Sequence, residues 1–292
     1  MPSFMKRIAI LGSTGYVGTA LKGYCQTAQV PFVVFGRRDC CSAETLRDAI
    51  NAQSVDHLIN CAGYTGKPNV DACETHKMEC LEGNGVLPGI VRQACEMAGI
   101  PWGHVSSGCI FTGRRSDGGG FTESDPPNFS FRQNNCSFYS GCKALGEELI
   151  AGAVNCYIWR LRIPFENTAN PRNYLQKVMS YSRLLNAENS LSNLHEFVAA
   201  CVDSFRLKIP YGIYNLTNPG SVWTSDVVQM IKRKGVSSKA FEFFHDEAEF
   251  MKQAAKTPRS NCVLDSSKAL SVGLRFRPVD QAIDESLSHW KL

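Results

Sequence analysis

The sequence lacks several features that would assign it to a specialised class of protein. No apolar stretch approaches the roughly 20 residues of a membrane-spanning helix, and the first apolar run enters a glycine turn without a small-residue cleavage site. There is no block of like charges, and the net charge of +4 is spread along the chain. The sequence therefore favours neither a nucleic acid nor a membrane as partner, and it indicates a cytoplasmic protein.

Cysteine is abundant, but its arrangement predicts neither a metal site nor a disulfide framework. The 13 cysteines are odd in number, scattered, and never spaced as Cys-x-x-Cys. In a reducing compartment most of them are expected to be small buried apolar residues. We therefore expect no bound metal, and a functional role for any one cysteine needs a specific argument.

The 292 residues can form one large α/β domain and a smaller second one. Short apolar strands alternate with helical patterns up to a strand predicted at residues 156–163, and the alternation then fades. We expect a Rossmann-type doubly wound parallel sheet over residues 1–166. A smaller α/β substrate domain is expected over residues 167–292, with some of its strands returning to the first sheet.

The first predicted strand ends in a turn that is typical of dinucleotide-binding proteins. The apolar run Ile8 to Leu11 is followed by glycines at three-residue spacing and then by a helical pattern. Such a turn lets backbone N–H groups approach a pyrophosphate, which also lies at the positive end of the helix dipole. The predicted cofactor-binding residues of this turn are Gly12, Ser13, Thr14, Gly15, Tyr16, Val17 and Gly18.

The end of the second predicted strand bears on the identity of the cofactor. A buried strand over residues 31–35 is followed by Arg37 and Arg38. Arginine at this position accommodates a ribose 2′-phosphate, whereas an acidic residue binds the 2′-hydroxyl. The arginines favour NADPH, and Asp39 leaves NADH open. The third strand ends in small residues that let the backbone pass close to the cofactor, namely Asn60, Ala62 and Gly63.

Two later segments carry side chains suited to proton transfer. A strand from Trp102 leads to Ser107, and Tyr139 and Lys143 lie four residues apart, so they share one face of a predicted helix. An ammonium beside a phenol lowers a pKa that starts near 10, which would make the tyrosine a usable acid and base near neutrality. Alternation along the strand would also place Ser107 and Cys109 on the same side, about 7 Å apart.

Residues 113–137 are rich in Gly, Ser, Asn and Pro, and they predict a long surface loop. Loops of this length in a compact domain commonly serve as lids or binding loops.

The glycine motif, Ser107 and the Tyr139-x-x-x-Lys143 pair together resemble the extended short-chain dehydrogenase/reductase superfamily. More narrowly, the chain is similar to the bifunctional UDP-4-keto-6-deoxy-glucose 3,5-epimerase/4-reductases of UDP-rhamnose synthesis in plants and giant viruses. This narrower likeness covers nearly the whole chain. The motifs that carry it are residues 60–63, 65–71, 73–77, 108–111, 127–129, 170–173, 215–220 and 258–261.

The resemblance implies conversion of UDP-4-keto-6-deoxy-D-glucose to UDP-L-rhamnose by 3,5-epimerisation and then NADPH-dependent reduction at C4. It implies that Tyr139 protonates the C4 oxygen, Lys143 holds the nicotinamide ribose and Ser107 hydrogen-bonds the carbonyl, with the adjacent Ser106 as an alternative. It singles out Cys109 and Lys177 as the epimerisation pair. The expected substrate-binding residues are Thr65, Asn84, Asn173, Arg259 and Asn261.

The chemistry of the substrate gives this assignment independent support. C3 and C5 both flank the C4 ketone, so their protons are acidic, and inversion requires a base to remove each proton and an acid to return one. A Cys109 thiolate beside the cationic Lys143 and Lys177 would have a lowered pKa.

Two other functions are open from the sequence. One is a GDP-fucose synthase-type enzyme, although that family uses histidine as the acid partner where this chain offers Lys177. The other is a non-catalytic NADP-binding regulatory subunit, which would not need to keep Ser107, Tyr139 and Lys143 together. None of the six histidines falls on a matched catalytic position. The oligomeric state, with a homodimer as one option, is also open.

Overall fold

The structure, a computed structural model, describes residues 7–291. No helix within these residues is both long and apolar enough to cross a membrane.

The strands are β1 (Ile8–Leu11), β2 (Phe32–Phe35), β3 (His57–Asn60), β4 (Trp102–Ser107), β5 (Cys156–Leu161), β6 (Pro164–Phe165), β7 (Arg183–Leu184), β8 (Glu188–Asn189), β9 (Ser192–Asn193), β10 (Gly212–Asn215), β11 (Val222–Trp223) and β12 (Glu242–Phe243). The helices are α1 (Tyr16–Thr27), α2 (Ala43–Ala52), α3 (Lys77–Leu81), α4 (Leu87–Ala98), α5 (Phe138–Leu149), α6 (Tyr174–Ser180), α7 (Leu194–Arg206), α8 (Thr224–Arg233), α9 (Glu247–Gln253), α10 (Ser267–Ser271) and α11 (Val279–Ser288).

Six strands of the described chain form one parallel sheet in the order β10-β5-β4-β3-β1-β2. Helices α1 and α7 pack on one face, while α2 and α4 cover the other, with α5 beside α4. The predicted doubly wound parallel sheet is confirmed. The strand order reverses between β1 and β3, and ligands of open α/β sheets bind at the carboxyl ends of the strands beside such a reversal.

Strand β2 is less buried than the sequence predicts. It pairs with β1 and ends the sheet at that edge, and half of the Val34 side chain is exposed. An edge strand has a neighbour on one side only, so an apolar run there does not require burial on both faces. The expectation of a buried second strand was therefore wrong.

The sixth strand of the sheet comes from late in the chain. Residues 212–215 form β10, which pairs with β5 and lies within the range expected for the second domain. A separate apolar core is formed by side chains of α6, α8 and α11, including Leu175, Val227 and Ile283. The domain boundary near residue 166 stays a prediction.

The loop over residues 113–137 packs against the body of the protein. Phe121 and Phe129 are buried, and the Phe121 ring stacks on Phe111 at a centroid distance of 4.7 Å. The Phe121 N–H donates to the carbonyl of Val263 at 2.9 Å, and the N–H of Asp265 donates back to Phe121 at 2.8 Å. The two buried rings anchor a segment that is otherwise largely at the surface, and its role as a lid or binding loop stays a prediction.

The glycine-rich turn is held by two close backbone approaches. Gly12 has φ +80°, and a Cβ atom at this position would lie 2.5 Å from the backbone nitrogen of Ala62. A Cβ atom at Gly18 would lie 2.2 Å from the carbonyl oxygen of Gly12. These close approaches let α1 pack against the ends of β1 and β3. At Gly15 the nearest such contact is 3.4 Å, and this residue is the N-cap of α1.

A Gly18→Ala variant is expected to lose about 1–3 kcal/mol of unfolding free energy, because the added methyl meets backbone that cannot move aside cheaply. Gly23→Ala is the matched control, since Gly23 lies in the same helix with nothing within 4 Å of its Cβ position. Alanine there should be neutral or stabilise by about 0.5–1 kcal/mol. Urea unfolding measures both, and equal stability of the two variants would show that α1 does not depend on this close approach.

Candidate active site

A cavity of about 1000 Å³ opens at the carboxyl ends of β1, β3, β4 and β5. The sequence-predicted site residues that line it are Thr14, Gly15, Tyr16, Val17, Arg37, Ala62, Gly63, Thr65, Asn84, Ser107, Tyr139, Lys143, Lys177 and Arg259. The predicted site residues that do not line it are Gly12, Ser13, Gly18, Arg38, Asn60, Cys109, Asn173 and Asn261. The structure thus brings together residues from positions 14 to 259 of the chain.

At the β1 end, the first turn of α1 faces the cavity. The first N–H groups of a helix have no acceptor within it, and Gly15 supplies no capping side chain. Arg37 lines the cavity at the end of β2 and makes no ion pair within residues 7–291, whereas Arg38 lies outside the lining. Asn60 is fully buried and accepts a hydrogen bond from the Ala62 N–H at 3.0 Å, so it shapes the turn after β3.

Ser107, Tyr139 and Lys143 converge at the centre of the cavity. Ser107 is near enough to the Tyr139 phenol to lower its pKa. Lys143, 5% exposed, donates from Nζ to the carbonyl of Val105 at 3.3 Å. A Cβ atom on Gly63 would lie 3.4 Å from this nitrogen, so the ammonium lies against the segment that follows β3.

The hydroxyl of the adjacent Ser106 is hydrogen-bonded to a buried ion pair between Glu147 and Arg160. Its hydroxyl donates to Oε1 of Glu147 at 2.5 Å, and Arg160 donates to the same carboxylate from Nε and Nη2. Both charged side chains are less than a tenth exposed. Of the two serines, Ser107 is therefore the one that is not bound to this pair and that influences the Tyr139 phenol.

Burial dominates the proton affinities of the central groups. It raises the pKa of the Tyr139 phenol well above its ordinary value, and the hydrogen bond from Ser107 offsets only part of this rise. Burial also lowers the pKa of Lys143. The Tyr139 pKa is thus raised and not lowered as expected, because desolvation of the phenolate is the largest influence on it.

Cys109 lies outside the strand on which it was expected. Strand β4 ends at Ser107, and a 3₁₀ turn over Gly108–Ile110 puts the Cys109 N–H 3.2 Å from the Ser107 hydroxyl. The Cys109 side chain is 7% exposed. Burial raises the pKa of its thiol, although hydrogen bonds from Ser107 and Ser140 oppose the rise. The expectation of a lowered Cys109 pKa was therefore wrong.

Three cationic side chains form a second group on the cavity wall. Lys177 of α6 has a pKa lowered by burial and by the charges of Arg172 and Arg259. Arg172 donates to the carbonyl of Gly66 at 2.6 Å, and Arg259 pairs with Asp71 at 2.7 Å. The other terminal nitrogen of Arg259, Nη1, is buried without a partner among the described residues. With one carboxylate among three cations, this wall suits a multiply charged anion.

The three predicted substrate-binding asparagines have structural partners. Asn84 lies at the cavity, but its amide accepts from the Tyr64 N–H at 3.2 Å and donates to the Tyr64 carbonyl at 2.7 Å. Asn173 is fully buried and caps α6 through the N–H of Leu175. Asn261 accepts from Asn189 at 3.2 Å beside a different cavity. Asn173 and Asn261 do not line the main cavity, and their contact with substrate stays a prediction.

Several residues of the cavity were missed by the sequence analysis. His76 lines it, although the histidines were interpreted as ordinary, and Arg172 lies inside a recognised motif without having been selected. At the far end, the lining is completed by residues that carry no sequence signal, because they come from a segment without a recognisable motif. These residues are Tyr181, Ser182, Arg183, Phe244, Phe250 and Ala254.

The comparisons with known proteins agree with this geometry. A family model for the RmlD substrate binding domain matches residues 5–291. The chain belongs to this family. A bifunctional dTDP-4-dehydrorhamnose 3,5-epimerase/dTDP-4-dehydrorhamnose reductase of Arabidopsis thaliana is 31% identical over 264 residues, which cover 89% of this chain and 85% of that protein.

Solved structures show the same relationship. The L780 UDP-rhamnose synthase of Acanthamoeba polyphaga mimivirus superposes with a TM-score of 0.89 at 25% identity, covering 97% of this chain and 99% of that one. A dTDP-4-dehydrorhamnose reductase of Bacillus anthracis, solved in complex with NADP, has a TM-score of 0.79 at 17% identity, with 98% of each chain covered, and it shares the fold. The chain is thus related to UDP-rhamnose synthases and dTDP-4-dehydrorhamnose reductases.

The burial of Cys109 can be tested by alkylation. At neutral pH, iodoacetamide should modify the exposed Cys41 at least roughly 10-fold faster than Cys109, because a buried thiol with a raised pKa supplies little thiolate. Mass spectrometry of peptides after short exposure measures both sites, and denatured protein gives the reference rates. Preferential labelling of Cys109 at neutral pH would contradict a raised pKa.

Proposed function

We propose that the protein is an NADPH-dependent nucleotide-sugar 3,5-epimerase/4-reductase that converts UDP-4-keto-6-deoxy-D-glucose to UDP-L-rhamnose. One observation carries the proposal, namely that a serine, tyrosine and lysine of reductase type share a cavity with a cationic wall. The relationship to the bifunctional plant enzyme and to the viral UDP-rhamnose synthase supports the choice of reaction.

The cofactor end of the cavity fits NADPH. The open side of Gly15 and the first turn of α1 leave room and N–H donors for a pyrophosphate. Arg37, without an ion-pair partner within residues 7–291, is placed to bind a 2′-phosphate. When bound, NADPH supplies the hydride for reduction of the C4 ketone.

In the reduction, Tyr139 gives the proton that the C4 oxygen needs. Burial holds the pKa of its phenol high, so the group is protonated at neutral pH, which is the form that a proton donor requires. Ser107 donates a hydrogen bond to the same oxygen and helps to orient the sugar. Lys143, buried below Gly63, holds the ribose next to the nicotinamide.

In the epimerisation, Lys177 is the proton acceptor and Cys109 the proton donor. Burial and two neighbouring guanidinium groups lower the Lys177 pKa, so a larger fraction of this amine is neutral than in free lysine at the same pH. The raised pKa of Cys109 keeps its thiol protonated. A neutral amine to take a proton and a protonated thiol to return one are the two groups that inversion needs.

Purified protein with NADPH and a UDP-4-keto-6-deoxy sugar tests the proposal directly. The expected result is loss of nicotinamide absorbance together with formation of UDP-L-rhamnose. The GDP-linked and dTDP-linked 4-keto sugars are run in parallel. Preference for the GDP sugar would favour a GDP-fucose synthase-type enzyme, and inactivity with all three would favour a non-catalytic NADP-binding subunit.

Cofactor selectivity should depend on Arg37. An Arg37→Ala change is expected to weaken NADPH binding by roughly 10-fold or more and NADH binding much less, because only NADPH carries the phosphate. Arg38→Ala is the matched control, since Arg38 is adjacent but outside the cavity lining. Fluorescence titration of both reduced cofactors measures the effect. Equal losses for NADPH and NADH would contradict the assignment.

The two half-reactions should separate by mutation. Tyr139→Phe is expected to lose NADPH oxidation by roughly 10²–10⁴-fold while still exchanging the C3 and C5 protons in D₂O. Lys177→Met should lose this exchange, whereas Cys109→Ala should lose inversion at C3 and C5; both should retain slow hydride transfer to the unepimerised ketone. Cys95→Ala, a buried cysteine away from the cavity, should retain both activities.

NMR of the sugar and absorbance of the nicotinamide measure both activities in one sample. Full inversion at both carbons by Cys109→Ala would show that this thiol is not the proton donor.

A further inference from the structure

The far end of the cavity contains a flat cationic surface that the proposed reaction does not yet use. Strands β7 and β12 pair in parallel and bring Arg183 beside Phe244. The guanidinium carbon of Arg183 lies 4.3 Å from the centre of the Phe244 ring. The ring of Phe250 meets Phe244 edge-on at 5.3 Å and 70°. All three side chains line the cavity.

The guanidinium plane of Arg183 is fixed by hydrogen bonds along its edge. Nη1 donates to Glu249 and to Gln253, each at 2.9 Å. Nη2 donates to the second oxygen of Glu249 at 3.1 Å and to the carbonyl of Phe243 at 3.2 Å. These acceptors occupy the edge and Phe244 covers one face, so the opposite face is the one left for a ligand. Arg183 lines the cavity, and 30% of its side chain is exposed.

The position of this surface follows the order of groups along the cavity wall. Tyr139 lies at the centre, and the cationic wall with Lys177 follows. Tyr181 lies beside this wall, because its N–H donates to the Lys177 carbonyl at 3.0 Å. Burial raises the pKa of its phenol, and the nearby charges of Arg259 and Arg172 oppose the rise. Arg183 comes two residues later. A nucleotide sugar has the same order, from the sugar through the diphosphate and ribose to the base.

We infer that the nucleobase of the nucleotide-sugar substrate stacks on the exposed face of Arg183, with Phe244 supporting the opposite face. The inference rests on the proposed function, because it takes the sugar to lie at Tyr139 and the diphosphate at the cationic wall. Guanidinium planes stack on nucleobases, and a delocalised cation is more weakly hydrated than an ammonium, so it loses little on being covered.

Stacking of this kind does not read the edge of the base. Every nucleobase presents a flat face, so the contribution of Arg183 should be the same for uracil and thymine. Any discrimination between UDP and dTDP sugars must therefore come from contacts at the base edge and not from this surface.

The test compares UDP with inorganic pyrophosphate, since the two share the diphosphate and differ in the nucleoside. Calorimetric titration of the NADPH-bound protein should give tighter binding of UDP than of pyrophosphate. Arg183→Lys keeps the charge near Glu249 but removes the plane. It should weaken UDP and dTDP binding about 10-fold each and leave pyrophosphate binding unchanged.

Arg132→Lys is the matched control. Arg132 also holds a glutamate, Glu148, with two nitrogens at 2.8 Å each, and it lies outside this cavity. Its replacement should change neither affinity. Phe244→Leu, which removes the ring behind the guanidinium, should lower UDP binding relative to pyrophosphate, and it keeps the inference testable should Arg183→Lys fold poorly.

The outcomes separate this inference from the proposed function. Unchanged UDP affinity in both Arg183→Lys and Phe244→Leu would overturn the inference alone, as would equal losses of UDP and pyrophosphate binding. Failure of the unmodified protein to bind UDP more tightly than pyrophosphate would overturn the inference together with the choice of a nucleotide sugar. A selective loss of UDP and dTDP binding would support both.

Discussion

A buried carboxylate holds together the elements that carry the central site. Glu147 of α5 accepts from Ser106 of β4 and from Arg160 of β5, so one side chain joins a helix to two neighbouring strands. Ser107 follows Ser106, and Lys143 precedes Glu147 by one helical turn. Because breaking a buried ion pair leaves an uncompensated charge, the helix cannot shift against the strand without a large loss of stability. The geometry of the reactive groups depends on this contact.

The same burial decides the proton affinities around the cavity. The acids, Tyr139 and Cys109, hold their protons more tightly than free side chains, whereas the amines of Lys143 and Lys177 hold theirs less tightly. Desolvation disfavours the charged form of each group, so acids and bases shift in opposite directions. Such a site enters its reaction with protonated donors and with amines that lose their protons more readily.

Much of the fold and part of the site could be predicted from sequence. The glycine turn, the apolar strands and the Tyr139 and Lys143 pair are local patterns, and local patterns specify local structure. Burial and strand order are properties of the whole chain. The structure was therefore needed to show that β2 is an exposed edge strand, that the loop over residues 113–137 packs against the protein and that Cys109 is buried in a turn. Arg183 and Phe244 are 61 residues apart in sequence, and strand pairing alone brings them together.

Because β10 comes late in the sequence, β5 lacks its outer partner strand during part of synthesis and in any fragment that ends before β10. Strand β5 is complete at residue 161, but its partner on the outer side does not exist until residues 212–215 have been synthesised. Until then β5 presents a row of unpaired backbone groups, which are a template for pairing with another chain. A growing chain must keep this edge covered over some 50 residues of synthesis. A fragment cut near residue 166 would keep the edge open permanently, so we expect it to aggregate rather than fold as an independent half.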